Sequence, residues 1–203
     1  MLENELYSAR NYDRGMWLLE RTRLSRLRRQ VVRQAIGNTL EIGAGTGANA
    51  AHYQVGVTVT ATDLQAAHLS AAAKKASRLN PGLRYTVVCA DAQQLPFPDS
   101  AFDTVLGTLV FCSIGQPELA LAAIRRVLRP GGRLILLEHV RGQTPLTRRL
   151  TDWLHPAWFA LQGVCHLNRD TAATVAAAGF NIHTRSDHAH GLIQIIFADV
   201  PAD

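Results

Sequence analysis

The sequence predicts an α/β fold, a seven-stranded, mostly parallel sheet with helices on both faces. Three observations predict it. Seven short apolar or β-branched runs are separated by stretches of helical spacing. The first run ends in a glycine cluster, Gly43-Ala44-Gly45-Thr46-Gly47. Strong turn signals, Asn80-Pro81-Gly82 and Arg129-Pro130-Gly131-Gly132, stand where helices must give way to strands. Strands that alternate with helices pair in parallel, because each crossover helix returns the chain to the same edge of the sheet.

Residues 13–36 read as a helix, with Leu24, Leu27, Val31 and Ala35 at helical spacing and Gly37-Asn38 as its stop. Thr39–Ile42 is the first strand, and the glycine turn leads into an Ala-rich helix ending near Tyr53. Val57–Thr62 is the second strand, followed by Asp63 and a helix over Leu64–Leu79. Tyr85–Cys89 and, after the breaks at Pro96 and Pro98, Phe102–Leu109 are strands three and four. A helix over Glu118–Leu128 precedes strand five, Arg133–Leu137. Helices over about 145–162 and 169–178 lead to two last strands, Phe180–Thr184 and Leu192–Ala198, one of them antiparallel.

With 203 residues, 47% hydrophobic and 18% charged, the chain suits one packed domain and excludes a disordered or collagen-like polymer. No run reaches the roughly 18 apolar residues of a membrane span. The start, MLENELYSAR, is acidic and lacks the apolar stretch of a secretory signal. Three cysteines, an odd number at wide spacing, point to a reducing compartment, so a soluble cytoplasmic protein is expected. The net charge of +5 is concentrated near the start, where eight of the 19 arginines lie between Arg10 and Arg33. Without aromatic interleaving this reads as a solvated helix face, and no nucleic-acid partner is expected.

A strand running into close-spaced glycines permits left-handed backbone and lets a ligand touch the main chain. The N–H groups that follow favour an anionic group. Asp63, 20 residues after Gly43, is placed to accept both ribose hydroxyls of an adenosine, or to cap the next helix. Both features suit NAD as well as S-adenosylmethionine. Glu41 inside the first strand, Asp91 just past the third, and the Leu128-Arg129-Pro130-Gly131-Gly132 junction discriminate against the dinucleotide. No Tyr-x-x-x-Lys pair is present to activate a carbonyl.

LEIGAGTG, Asp63, CADAQQLPFPDSAFDTV and LRPGGRL together resemble the Rossmann-like class I S-adenosylmethionine-dependent methyltransferases, in particular the ubiquinone and menaquinone biosynthesis branch. The resemblance covers residues 38–140. A narrower one, through TLVFCSI, Glu138-His139-Val140, the stretch Asp152–Trp158 and GVCHLNR at 163–169, is to methyltransferase-like thiol S-methyltransferases of animal endoplasmic reticulum and lipid droplets. Those proteins carry an apolar N-terminal anchor that this chain lacks, so their membrane location does not carry over: no stable insertion is expected, and peripheral association is the most that is left open.

The resemblance implies S-adenosylmethionine as cofactor. Gly43, Ala44 and Gly45 would cradle its methionine part and Glu41 would orient its ammonium group. Asp63 would hold the ribose, Leu64 would pack on adenine, and Asp91 and Ala92 would meet the adenine edge. Thr108 and Leu109 would lie near the sulfonium. Residues 1–37, with Tyr7, Tyr12 and Trp17, would form a helical lid over a domain spanning 38–203.

Methyl transfer is an in-line displacement at a carbon already activated by sulfonium, so alignment and water exclusion matter most. His139, at the end of strand five, is the leading base candidate, with Asp152 and His155 behind it. Trp153, Trp158 and Phe159 would line a pocket for a small apolar acceptor, a thiol first, then a carbon or oxygen of a quinone- or polyketide-like metabolite, or a phospholipid headgroup nitrogen. Cys112 reads as a buried small hydrophobe. His183, His188 and His190 lack the partners of a metal site. Outside this class, an NAD(P)-dependent oxidoreductase and a non-catalytic cofactor-binding protein remain.

Overall fold

The computed structural model describes residues 23–162 and 165–202, so Tyr7, Tyr12 and Trp17 lie outside the described residues. The first described helix, α1 (Arg23–Val32), precedes strand β1 (Asn38–Ile42). Strand β2 (Thr58–Asp63), helix α2 (Ala66–Leu79) and strand β3 (Arg84–Cys89) complete the first half. The second half runs β4 (Phe102–Thr108), α3 (Pro117–Val127), β5 (Leu128–His139), α4 (Pro145–Gln162), α5 (Thr171–Ala177), β6 (Asn181–His188) and β7 (Ile193–Asp199).

Seven strands make one sheet in the order β3-β2-β1-β4-β5-β7-β6. All the pairings are parallel except those of β7, which runs antiparallel to both β5 and β6. The order reverses between β1 and β4, and in an open α/β sheet the crevice beyond the carboxyl ends of such strands receives the ligand.

Burial on both faces sets the alternation along each strand. Leu134 and Leu136 of β5 point into one core with Leu40, Ile42, Val105 and Ile196, covered by Leu121 and Ile124 of α3 and Val175 of α5. Ile135 and Leu137 point the other way, into a core with Leu106 and Ile195 that Val31 and Val32 of α1 and the following Ala35 close. The inner face of α1, with Ala35 after it, is thus packed into the sheet's second core.

Among the expected boundaries that shift, three have a visible cause. The Ala-rich helix near 48–53 is a single 3-10 turn, Ala50–His52. Gly47 is left-handed (φ 79°), where a Cβ would sit 2.8 Å from the Ala72 Cα, and the few residues left before Tyr53 are too short a run to nucleate an α-helix. Strand β4 stops at Thr108 because Leu109 turns left-handed (φ 56°). Strand β5 begins five residues early, at Leu128, because the Pro-Gly-Gly turn is drawn into the sheet: Gly131 N–H donates to Val200 O and Val200 N–H to Gly132 O.

Candidate functional site

The glycine turn sits at the reversal point. Gly43 (φ 60°) leaves no room for a side chain, since a Cβ there would lie 2.2 Å from Val110 Cγ2. Gly45 (φ 53°) is the opposite case, with no atom within 4 Å of where a Cβ would stand. Its left-handed backbone therefore fronts open space that a ligand can reach. Buried Ala44 holds the turn to the neighbouring strand through its N–H to Thr62 O, at 2.8 Å.

Asp63 ends β2 beside that turn. Its Oδ2 accepts from Gly45 N–H and its Oδ1 from Gln65 N–H, both at 2.9 Å, with His68 Nδ1 3.5 Å away. It ties the glycine loop to the start of α2, where Gln65 holds the N-cap position without a side-chain capping bond. Leu64 is exposed next to it. Asp91 and Ala92 are half-buried, and Asp91 accepts from the backbone and side-chain N–H groups of Gln93.

Beneath the loop, Glu41 is fully enclosed. Its Oε1 accepts from Asn49 Nδ2 and its Oε2 from Tyr53 OH, both at 2.8 Å, with Tyr85 OH at 3.4 Å. Burial pushes the Glu41 carboxyl up to about 7, against the pull of these donors and of Arg28. Arg28 of α1 reaches in from the other side, donating to Asn49 Oδ1 at 2.8 Å and Thr108 Oγ1 at 2.7 Å. Arg28 and Asn49 were not expected here. The solvated reading of the arginine-rich helix fails for Arg28, which falls on the stripe of Leu24, Val31, Val32 and Ala35 and is 4% exposed. That spacing was the available signal. Glu41, Asn49, Arg28 and Thr108 form one network linking the ends of β1 and β4.

The acceptor end assembles around the loop after β4. Leu109 N–H bonds Leu137 O, and the next amides, Val110 and Phe111, donate to the two carboxylate oxygens of Glu138 at 3.0 and 3.1 Å. Glu138 is fully buried, and burial lifts it to about 7 despite those amides. His139 is half-buried, its Nδ1 has no hydrogen-bond partner among the described residues, and burial lowers its pKa, favouring the neutral ring.

The other two expected acid–base residues separate. Asp152 receives Arg141 Nε at 2.8 Å and Nη2 at 2.5 Å, and the guanidinium holds its carboxyl below the usual range. A carboxylate so engaged is a tether and a poor proton acceptor. His155 stacks on His166 with ring centres 5.3 Å apart, and Phe159 lies 4.7 Å from His166. His155 Nδ1 is buried without a partner among the described residues. Trp153, Trp158 and Phe159 are exposed on α4 with Leu146, Leu150 and Leu154, an apolar face open to solvent.

The histidines near the chain end pair locally, His183 with Asp199 and His188 with Ser186. Among the described residues no group of three His, Cys, Asp or Glu could share a metal. A surface cavity of about 570 Å³, lined by Asp99, Glu118, Arg125, Pro130 and Thr174 among others, lies at the amino ends of β4 and β5. That is the edge opposite the glycine turn.

Residues 40–136 match a methyltransferase domain family, and the chain is similar to class I S-adenosylmethionine-dependent methyltransferases. It is 35% identical over 148 residues to the thiol S-methyltransferase TMT1B of Rattus norvegicus, covering 70% of this chain and 59% of the relative. It is 32% identical over 111 residues to a phosphatidylethanolamine N-methyltransferase of Cereibacter sphaeroides, covering 54% of this chain and 55% of the relative. The chain thus spans less than two thirds of the length of either. The [4+2]-cyclase SpnF shares the fold, with a TM-score of 0.70 and 21% identity over 89% of this chain and 81% of the cyclase. A cyclase on the same scaffold means that the fold alone does not assign the reaction.

Proposed function

We propose that this chain transfers a methyl group from S-adenosylmethionine to the sulfur of a small, apolar thiol, acting in the cytoplasm. The glycine turn fits the cofactor: Gly45 faces open space beside the Asp63 carboxylate, and Leu64 stands exposed next to it for a flat base. When bound, S-adenosylmethionine supplies a methyl carbon already activated toward a nucleophile. Asp63 would take the ribose hydroxyls while retaining its hold on the loop. Thr108, fixed by Arg28 and Asn49, and Leu109, fixed by Leu137, set the floor on which the acceptor meets the methyl group.

The observation that carries the choice of acceptor is the acid–base state of the acceptor end. Both strong carboxylates there are committed, Glu138 to backbone amides and Asp152 to Arg141, and His139, at the end of β5, offers a buried nitrogen that is unpartnered among the described residues. A nucleophile that needs little help suits such a site. A thiol, with a pKa near ~8.5, ionises with a weak base or none. His139 would take the thiol proton at Nδ1. The similarity to the thiol S-methyltransferase supports the same choice.

A second reading, methylation of a phospholipid headgroup, is favoured by the exposed apolar face of α4, flanked by Arg148 and Arg149, and by the similarity to the phosphatidylethanolamine enzyme. No described helix is long and apolar enough to cross a membrane. Calorimetric titration with S-adenosylmethionine, S-adenosylhomocysteine and NADH, followed by an acceptor screen read by S-adenosylhomocysteine release, tests both. Binding of the adenosyl ligands with turnover on thiols supports the first reading. Turnover only on vesicles containing phosphatidylethanolamine replaces it with the second, and binding of NADH alone overturns both. Asp63→Ala should weaken S-adenosylmethionine binding by about 1–3 kcal/mol, the loss of charge-assisted hydrogen bonds.

A further inference from the structure

Two cysteines meet beside the acceptor end, and methyl transfer as derived above uses neither. Cys112 lies on the loop after β4, on the same run of amides that Glu138 holds, and Cys165 lies in the segment between α4 and α5. The two stretches of chain are joined at this point. His166 N–H donates to Cys112 O at 2.8 Å, and the Arg169 guanidinium donates to Phe111 O. The thiols themselves are near enough for each to shift the ionisation of the other.

Their surroundings differ in a way that divides the labour. Cys112 is buried at 5% exposure, and contact with Cys165, burial and the neighbouring Glu138 carboxylate all push its thiol up. Cys165 is half-exposed, and Cys112, the Trp158 indole and the Arg169 guanidinium pull its thiol below the usual range. An accessible thiolate against a protected thiol is the arrangement in which one sulfur attacks an oxidant and the other resolves the product.

We propose that Cys112 and Cys165 are a redox-active pair that closes a disulfide, stapling the segment after α4 to the loop after β4. With glutathione disulfide as oxidant, the Cys165 thiolate attacks one sulfur and expels a glutathione thiolate, leaving a mixed disulfide. Cys112 then gives its proton to solvent and displaces the second glutathione. The two cysteine thiols lose two electrons and two protons in all, and the oxidant becomes two glutathione thiols. The staple fixes the loop that carries Leu109 and Val110 against the His166–Arg169 segment, so the acceptor end becomes responsive to thiol–disulfide balance, the role cytosolic disulfides ordinarily take.

The test does not depend on methyl transfer. The third cysteine, Cys89, is exposed and shares the tryptic peptide 85–125 with Cys112, so the whole chain is used as Cys89→Ser. After oxidised glutathione and digestion without reductant, mass spectrometry should find peptide 85–125 joined to 150–169, with the link lost on dithiothreitol. A persistent glutathione adduct on Cys165 without that link would overturn the proposal, as would two free thiols.

Discussion

Glu41 and Glu138 occupy matching places, each one residue before its strand ends, each fully buried, each raised to about 7 by burial. Their partners differ. Glu41 is held mainly by side chains, Asn49 and Tyr53, in a network that Arg28 extends to Thr108. Glu138 is held by the backbone amides of Val110 and Phe111 and braces a loop. Around Glu41 the hydrogen-bonding capacity of the network is spent internally, leaving a shaped, left-handed backbone at Gly45 as the free surface. Around Glu138, buried nitrogens of His139 and His155 stand unpartnered among the described residues and α4 presents an open apolar face. A rigid cradle suits a ligand of constant shape, and a looser, aromatic-lined end suits an acceptor that varies.

The largest expected effect tests the rigidity of the cradle. Gly43→Ala must place a Cβ 2.2 Å from Val110 at φ 60°, which costs about 3 kcal/mol or more in strain and overpacking. For a chain of this size the melting temperature should fall by roughly 6–12 °C. Gly45→Ala meets no atom and carries only left-handed strain, about 1 kcal/mol, so it should lower the melting temperature by roughly 2–4 °C. It should nevertheless weaken S-adenosylmethionine binding in calorimetry, because its methyl group would occupy the open side of the turn. Equal melting losses in the two variants would break the contrast between a packed and an open glycine.

How far this was readable before the fold depended on how local each feature is. Gly43, Gly45 and Asp63 announce themselves because turn chemistry and a strand end lie within a few residues of one another. Sheet content and strand direction follow from alternation, which is also local. Arg28 did not announce itself, because in a run with Arg26 and Arg29 its position on the apolar stripe is overshadowed by charge. Asn49 was hidden inside what looked like an Ala-rich helix, and the interruption at Gly47 is set by Ala72, 25 residues on. The acceptor end depends on longer reach still. Nothing near Asp152 in the sequence says that Arg141 will occupy it, and the meeting of Cys112 with Cys165 exists only once the segment after α4 returns to the loop after β4.

The raised carboxyl of Glu41 has a thermodynamic consequence of intermediate size. A folded-state pKa above the unfolded one means that the native protein keeps a proton that the unfolded chain has released. Stability is therefore fully present below the ordinary carboxylate range and is lost as pH rises toward about 7. A glutamine amide at this position has no such proton to lose, and its oxygen still accepts from Asn49 or Tyr53. Relative to the parent, Glu41→Gln should gain up to roughly 3 kcal/mol between pH 5 and pH 8 in denaturant titrations. Parallel pH profiles would show that Glu41 is ionised without cost, and the cradle would then be more solvated than its packing indicates.

The smallest expected effect separates the tether from the base at the acceptor end. Asp152 is bound to Arg141 at the surface, and exposed ion pairs contribute little. Asp152→Asn keeps one of its hydrogen bonds, so the rate of thiol methylation at pH 7 should stay within about twofold of the parent, the scale of a weak surface pair. His139→Gln removes the one buried nitrogen near the end of β5 that is unpartnered among the described residues, and the loss of a general base should cut that rate by up to about 30-fold, the scarcity of thiolate at pH 7. Because a free thiol ionises near ~8.5, raising the pH above 9 should close most of the His139→Gln gap without changing the Asp152→Asn result. A gap that stayed constant with pH would assign His139 to positioning the acceptor. A large pH-dependent loss in Asp152→Asn would instead mean that Arg141 releases the carboxylate during turnover, and the acceptor end would then be as mobile as the glycine cradle is fixed.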